Sequence, residues 1–296
     1  MEIRGSIDEE RCVVSLFQAV FLGVLQGATE FLPVSSSGHL VLVPWLLGWR
    51  SPGLAFDAVV HWGTALAVIV YFWDEWLALG RAAVGSLRGR RLRSLTGSSE
   101  AALDGGAEAQ ARLVWLILLG TVPAVLVGYF LEDFFERMFA RPIAAAAFLL
   151  ITAGLLAASE RLGRRERDLD GVGWVDALII GAGQALAIFP GISRSGATIA
   201  AGLARGMKRK PAAHFSFLLA TPVVLGAGLL KVVKLVQTGG LMAQVPTLAL
   251  GFVASAVVGF FCVDLLLRYL EHRRLYSFAI YCAAFGTLSV LVAIAR

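Results

Sequence analysis

Residues 189–198 read FPGISRSGAT, and inside a strongly apolar chain this stretch decides the fold. Proline ends a helix because it has no N–H to donate and its ring crowds the preceding turn. The serines and threonine that follow suit the start of a second helix, where hydroxyl oxygens accept free backbone N–H groups. A helix broken at membrane depth is tolerated only where it is buried in protein or lines a wet cavity. The stretch therefore predicts a re-entrant hairpin, provided that the chain around it belongs in a bilayer.

Composition places it there. The chain has 296 residues, of which 58% are hydrophobic and 16% charged, and its mean hydropathy is +0.76. Soluble domains carry about a quarter charged residues, and a bilayer span takes about 20 apolar ones. Full-length apolar segments lie at 54–78, 112–131, 142–160, 212–234, 246–270 and 275–295. Two further segments, 12–48 and 174–207, are interrupted, the first at TEFLPVSSSGH and the second at AIFPGISRSGAT. Each interruption has a proline, a hydroxyl cluster and a glycine, so both read as hairpins. The three cysteines, Cys12, Cys262 and Cys282, have neither metal nor disulfide spacing and read as small packing residues.

The interruptions also resemble each other, and the likeness extends along the chain. GTVPAVLVGYFLEDF at 120–134 aligns with GFVASAVVGFFCVDL at 251–265, and Gly120 and Gly128 fall on Gly251 and Gly259. That offset is 131 residues, whereas Pro33 and Pro190 are 157 apart; the difference of 26 is about the size of a polar segment at 80–111 that the second half lacks. The predicted fold is an all-α polytopic membrane protein forming one domain over 1–296. Repeat one covers 12–160, with a loop insertion at 80–111, and repeat two covers 174–296. Each repeat holds one re-entrant hairpin and three spans, and an odd number of crossings inverts the second copy. Inverted repeats with discontinuous helices place a site near the midplane, where the copies meet.

The net charge of +5 arises in short loops between spans. It is better read as topology than as a nucleic-acid surface, and no nucleic-acid partner is expected. The loops around 80–112, 161–173, 205–211 and 268–274 hold most of the arginines, which makes that side cytoplasmic. Both termini and the mouth of the first hairpin then face the periplasm. The acidic start, MEIRGSIDEERC, lacks the basic region and cleavage site of a signal peptide and is expected to stay on the mature protein.

Glu30, His39 and Arg194 fall within or beside the interruptions, and ionisable residues at membrane depth usually mark function. A plainer reading makes Glu30 and His39 a helix-end pair and Arg194 a counter-charge to Glu30. The functional reading takes Arg194 as an oxyanion clamp, since a guanidinium matches phosphate bidentately. Ser193, Ser195 and Thr198 add donors at a helix start, where the dipole also favours negative charge. In the first hairpin, Gln26 and Glu30 lie four apart on one helical face. Ser35, Ser36, Ser37 and His39 follow. A carboxylate, a hydroxyl and an imidazole close together can do nucleophilic or acid–base work on a phosphoryl group. Asp57 and His61, four apart at the start of a span, read as a structural pair. His214 and His272 have no evident partner. Asp74, Glu75, Glu132, Asp133 and Asp176 read as interfacial.

On these residues the chain resembles the integral-membrane undecaprenyl-diphosphate phosphatases associated with bacitracin resistance. The family's (E/Q)xxxE motif is found as Gln26-Gly27-Ala28-Thr29-Glu30, its FLPVSS-(S/T)-GH motif at Phe31 to His39, and its PGxSRSxxT motif at Pro190 to Thr198. The resemblance spans nearly the whole chain. It implies removal of the terminal phosphate from a C55 polyprenyl diphosphate in the bacterial plasma (inner) membrane, recycling the carrier lipid of cell-wall synthesis. It also implies dependence on a divalent cation, Mg2+ or Ca2+, and a site open to the periplasm. Gln26 stands where many members have Glu, which weakens any scheme needing two carboxylates on the metal.

The expected roles are then distinct. Arg194 with Ser193, Ser195 and Thr198 holds the diphosphate, helped by Gln26, Ser35 and Ser37. Glu30 orients or deprotonates the nucleophile, or helps to hold the cation. Ser36 is the nucleophile, with His39 as acid–base partner. The partners are the polyprenyl lipid, bulk membrane lipid and, as an open option, a second copy in a homodimer. The rival class is a transporter or flippase of an anionic polyprenyl lipid, since the predicted architecture requires no chemistry.

Overall fold

A computed structural model describes residues 14–96, 105–237 and 241–296. The described residues form twelve α-helices and a short 3-10 turn at Leu169–Gly171, with no named strand. The first half holds α1 (Leu16–Phe31), α2 (Ser36–Leu46), α3 (Leu54–Tyr71), α4 (Trp73–Thr96), α5 (Gly105–Phe130), α6 (Glu132–Phe139) and α7 (Pro142–Leu162). The second half holds α8 (Trp174–Leu186), α9 (Arg194–Ala204), α10 (Arg209–Gln237), α11 (Leu241–His272) and α12 (Tyr276–Ala295). Six helices are long and apolar enough to cross a membrane: Leu54–Tyr71, Glu108–Phe130, Pro142–Leu162, Arg209–Lys234, Gln244–His272 and Tyr276–Ala295. They coincide with the six expected spans, and the protein is a multi-pass membrane protein. Large apolar side chains such as Phe17, Phe130, Phe261 and Ile294 point outward, as lipid-facing positions do.

Two expectations need correction. The span expected at 54–78 is two helices, because α3 stops at Tyr71 and α4 starts at Trp73. Asp74 and Glu75 stand in the first turn of α4, where negative charge complements the free N–H groups. The polar segment 80–111 is not a loop over most of its length: α4 runs to Thr96 and α5 starts at Gly105. Its central residues 97–104 lie outside the described residues, as do the N-terminal segment and Cys12. Cys262 and Cys282 are free.

Both hairpins break where the motifs placed them. Leu32 and Phe189 precede prolines, and the residue before proline is pushed out of the helical region; Leu32 accordingly adopts φ −60°, ψ 136°. The next helix of each hairpin opens on the same cap. Ser35 Oγ accepts from Gly38 N at 3.2 Å, and Ser193 Oγ accepts from Gly196 N at 3.0 Å. Ser35 reaches this position with φ 70°, a left-handed conformation that is strained for any residue with a side chain.

Close helix packing in a membrane relies on small residues. A Cβ added at Gly23 of α1 would lie 2.5 Å from the carbonyl of Gly251 on α11, and one at Gly27 would lie 2.8 Å from that of Ser255. Gly181 of α8 meets Gly120 of α5 in the same way. Gly120 and Gly251 are the glycines matched by sequence, so the two hairpins make corresponding contacts, each with a long helix of the other half. The hairpin tips also meet. Gly38 stands against Gly191, and Ser195 Oγ donates to Leu32 O at 3.2 Å.

Polar groups gather at the two ends. At one end Asp176 pairs with Arg167 and Arg205, Glu160 with Arg165 and Arg209, and Lys210 with Glu271. The loops around 161–173, 205–211 and 268–274 therefore share a face, and Arg112 joins it by donating to Val172 O at 2.7 Å. At the other end Lys231 pairs with Glu132 and Glu136, and Arg296 donates to Trp45 O and Leu46 O, both at 2.9 Å. Arg296 thus holds two carbonyls in the last turn of α2.

Candidate active site

The site forms around Glu30, in the last turn of α1, whose side chain is only 4% exposed. Its Oε2 accepts from Ser36 Oγ at 2.5 Å and from Gln26 Nε2 at 2.8 Å. Its Oε1 accepts from Arg194 Nη2 at 2.7 Å. Ser36 and Arg194 are the first helical residues of α2 and α9, each directly after the capping serine. The shared cap aims one hydroxyl and one guanidinium at the same carboxylate. Glu30 lies at the negative end of its own helix dipole, and the positive ends of two others compensate for it. Arg194 is thus the counter-charge of the plainer reading, and its Nη1 lies 3.4 Å from Ser216 O.

The remaining hydroxyls mostly build the cradle. Ser193 Oγ caps α9 and lies 3.2 Å from Ser195 Oγ. Thr198 Oγ1 donates back to Arg194 O at 2.7 Å and meets Ser216 Oγ at 2.6 Å. Thr198 is fully buried, so it shapes the helix turn behind Arg194 and does not face open space. In the first hairpin Ser35 Oγ is spent on its cap, and Ser37 Oγ lies 3.4 Å from it, partly exposed.

His39 does not join Glu30 and Ser36, contrary to the role expected from its position. Its Nδ1 meets Ser35 O at 2.7 Å and its Nε2 meets Tyr281 OH at 2.7 Å. The ring stacks on Phe285 with centroids 4.8 Å apart. A carbonyl only accepts, so Nδ1 carries the hydrogen, and Tyr281 occupies the other nitrogen. His39 ties α2 to α12.

His61 reads from sequence as a structural partner of Asp57, and the structure brings it to the site. Its Nε2 lies 3.5 Å from Glu30 Oε2, and its Nδ1 donates to Asp57 O at 2.6 Å. Nothing in the hairpin motifs signals it, because the approach depends on α3 packing against α1. His214, which had no evident partner, pairs with Glu75 at 2.7 Å.

A divalent cation on Glu30 meets a thin donor set. Both carboxylate oxygens are committed, one of them to a guanidinium that repels a second cation. Among the described residues no three His, Cys, Asp or Glu side chains converge. Mg2+ takes about six oxygen ligands and Ca2+ about six to eight. The described side chains do not form a cage for either ion.

The fold and site define a class: a polytopic helical membrane protein in which two broken helices bring a hydroxyl and a guanidinium to one buried carboxylate. The family described as "Bacitracin resistance protein BacA" matches residues 19–288, and the chain belongs to it. An undecaprenyl-diphosphatase of Desulforudis audaxviator is 41% identical over 280 residues, covering 95% of this chain and 98% of the relative. One of Thermomicrobium roseum is 41% identical over 286 residues, with 94% and 98% covered. One of Geobacter metallireducens is 43% identical over 265 residues, with 89% and 93% covered.

Proposed function

We infer that this protein hydrolyses undecaprenyl diphosphate to undecaprenyl phosphate and inorganic phosphate, returning the lipid carrier to cell-wall synthesis. Family membership and the activity named for the relatives support the reaction. The observation that carries it at the level of chemistry is the Ser36 hydroxyl, 2.5 Å from a carboxylate that Arg194 holds from its other side. A hydroxyl is a weak nucleophile until a neighbouring base takes its proton, and Glu30 is in place to do so.

In this reading Ser36 Oγ attacks the terminal phosphorus, and the bond to the bridging oxygen breaks. Polyprenyl phosphate leaves, and the serine proton passes to Glu30. Arg194 turns its remaining N–H groups to the phosphoryl oxygens, and the N-termini of α2 and α9 add positive potential. Water then cleaves the phosphoserine and restores the hydroxyl. Gln26 suits that step. Its Nε2 is bound to Glu30, and its Oε1 is buried without a partner among the described residues, an acceptor for the attacking water. A divalent cation, Mg2+ or Ca2+, would have Glu30 as its one candidate ligand among the described residues and would supply positive charge to the phosphoryl oxygens.

The finer placement belongs to the same proposal. The two halves are inverted copies, supported by their matching caps and glycine contacts. The protein lies in the bacterial plasma membrane with both termini and the site toward the periplasm, supported by the arginine-rich loops at the opposite end. A transporter or flippase of the same lipid needs no hydroxyl poised on a carboxylate. Purified protein in detergent should release phosphate from polyprenyl diphosphate with no second compartment present. Movement of lipid across sealed vesicles without phosphate release would favour transport instead.

A further inference from the structure

A proton that moves from Ser36 to Glu30 has to leave again, and most neighbours of Glu30 cannot take it. Arg194 and Gln26 Nε2 are donors with no lone pair to offer. The carboxylate itself is 4% exposed. His61 is different. Asp57 O, a carbonyl that only accepts, lies 2.6 Å from His61 Nδ1, so the ring hydrogen sits there. In the neutral ring Nε2 is then a bare lone pair, 3.5 Å from the Glu30 oxygen that also holds Ser36. The gap is long for a hydrogen bond while both atoms are acceptors, and a proton arriving on Glu30 gives them reason to close it. The His61 side chain is 25% exposed, against 4% for the carboxylate.

We propose that His61, acting through Glu30, is the route by which the Ser36 proton leaves the buried site. The proposal rests on the hydrolytic reading above. As the Oγ–P bond forms and the bridging P–O bond breaks, the leaving polyprenyl phosphate keeps the electron pair. The proton moves from Ser36 Oγ to Glu30 Oε2, then to His61 Nε2, and from that same nitrogen to water. Glu30 is ionised again before the phosphoserine is hydrolysed.

Most charged groups on α1, α10 and α11, the helices packed against α3 and His61, are engaged with one another. From α1 it faces Glu30, whose other oxygen holds Arg194 of α9. Its own helix adds Asp57, one turn earlier, whose Oδ1 is buried without a partner among the described residues. On α10, Lys231 is tied to Glu132 and Glu136 and His214 to Glu75. On α11, Asp264 pairs with Arg268.

The test uses the full-length protein, with His61→Gln, which keeps the size and polarity of the ring, and His61→Ala. Phosphate release from polyprenyl diphosphate is measured in detergent, with kcat and KM determined separately. Loss of an acid–base group lowers kcat by about 100-fold, and KM should stay near the wild-type value. Added imidazole should raise the rate of His61→Ala and leave the wild type unchanged. Overturning results are a His61→Gln kcat within about two-fold of wild type, or a slow His61→Ala that melts at a lower temperature and is not rescued by imidazole. A wild type that releases no phosphate would instead remove the hydrolytic reading itself.

Discussion

Replacing Arg194 with lysine separates the geometry of the clamp from its charge. Arg194 Nη2 binds Glu30 Oε1 at 2.7 Å and Nη1 reaches Ser216 O at 3.4 Å, which leaves the other N–H groups of its planar fork uncommitted. A lysine ammonium preserves the counter-charge but donates from a single atom. It can hold Glu30 or a phosphoryl oxygen, and it cannot hold both in one plane. Removing one donor aimed at charge that develops in the transition state costs about 2.7–4 kcal/mol, or roughly 100- to 1000-fold in kcat. Folding should survive, because Glu30 keeps a cationic partner. Arg194→Ala should behave differently. It leaves a buried carboxylate uncompensated, at a cost of about 3–5 kcal/mol in stability. Phosphate release in detergent reads the first effect, and the melting temperature reads the second. If Arg194→Lys melts like the wild type and turns over within about ten-fold of it, the clamp argument fails, because that leaves less than 1.4 kcal/mol for the lost donor.

Two further outcomes follow from the site and the sidedness. Rapid acid quenching of labelled substrate should trap phosphate on the protein as an acid-stable phosphoserine, absent in Ser36→Ala and retained in His39→Ala; an acid-labile adduct lost only in His39→Ala would transfer the nucleophile role to the histidine. A reporter active only in the cytoplasm, fused after Arg296, should be silent, and strong signal there would reverse the proposed orientation.

The parts of this architecture written in local chemistry could be read from the sequence. The six spans, both breaks, Glu30, Ser36 and Arg194 all follow from apolar runs or from motifs a few residues long. What escaped depends on which helix lies beside which. His61 is one side chain on an apolar helix until α3 packs on α1 and brings it to Glu30. His39 sits beside the motif serines in sequence, yet its Nε2 meets Tyr281, 242 residues away. The polar residues of 80–111 looked like a loop because they lack an apolar face, and helices extending beyond the bilayer do not need one.

Glu30 and Arg194 are 164 residues apart in the chain. At a synthesis rate of about 5–20 residues per second, Glu30 leaves the ribosome roughly 8–33 s before its guanidinium. A carboxylate alone in apolar surroundings costs several kcal/mol. For that interval it depends on what the first half has already delivered. Gln26 is four residues behind it and Ser36 six ahead. The first hairpin can therefore settle on amide and hydroxyl contacts alone. The arrival of the second hairpin neutralises the carboxylate and locks the halves together, so the centre is finished only when the second half has been made.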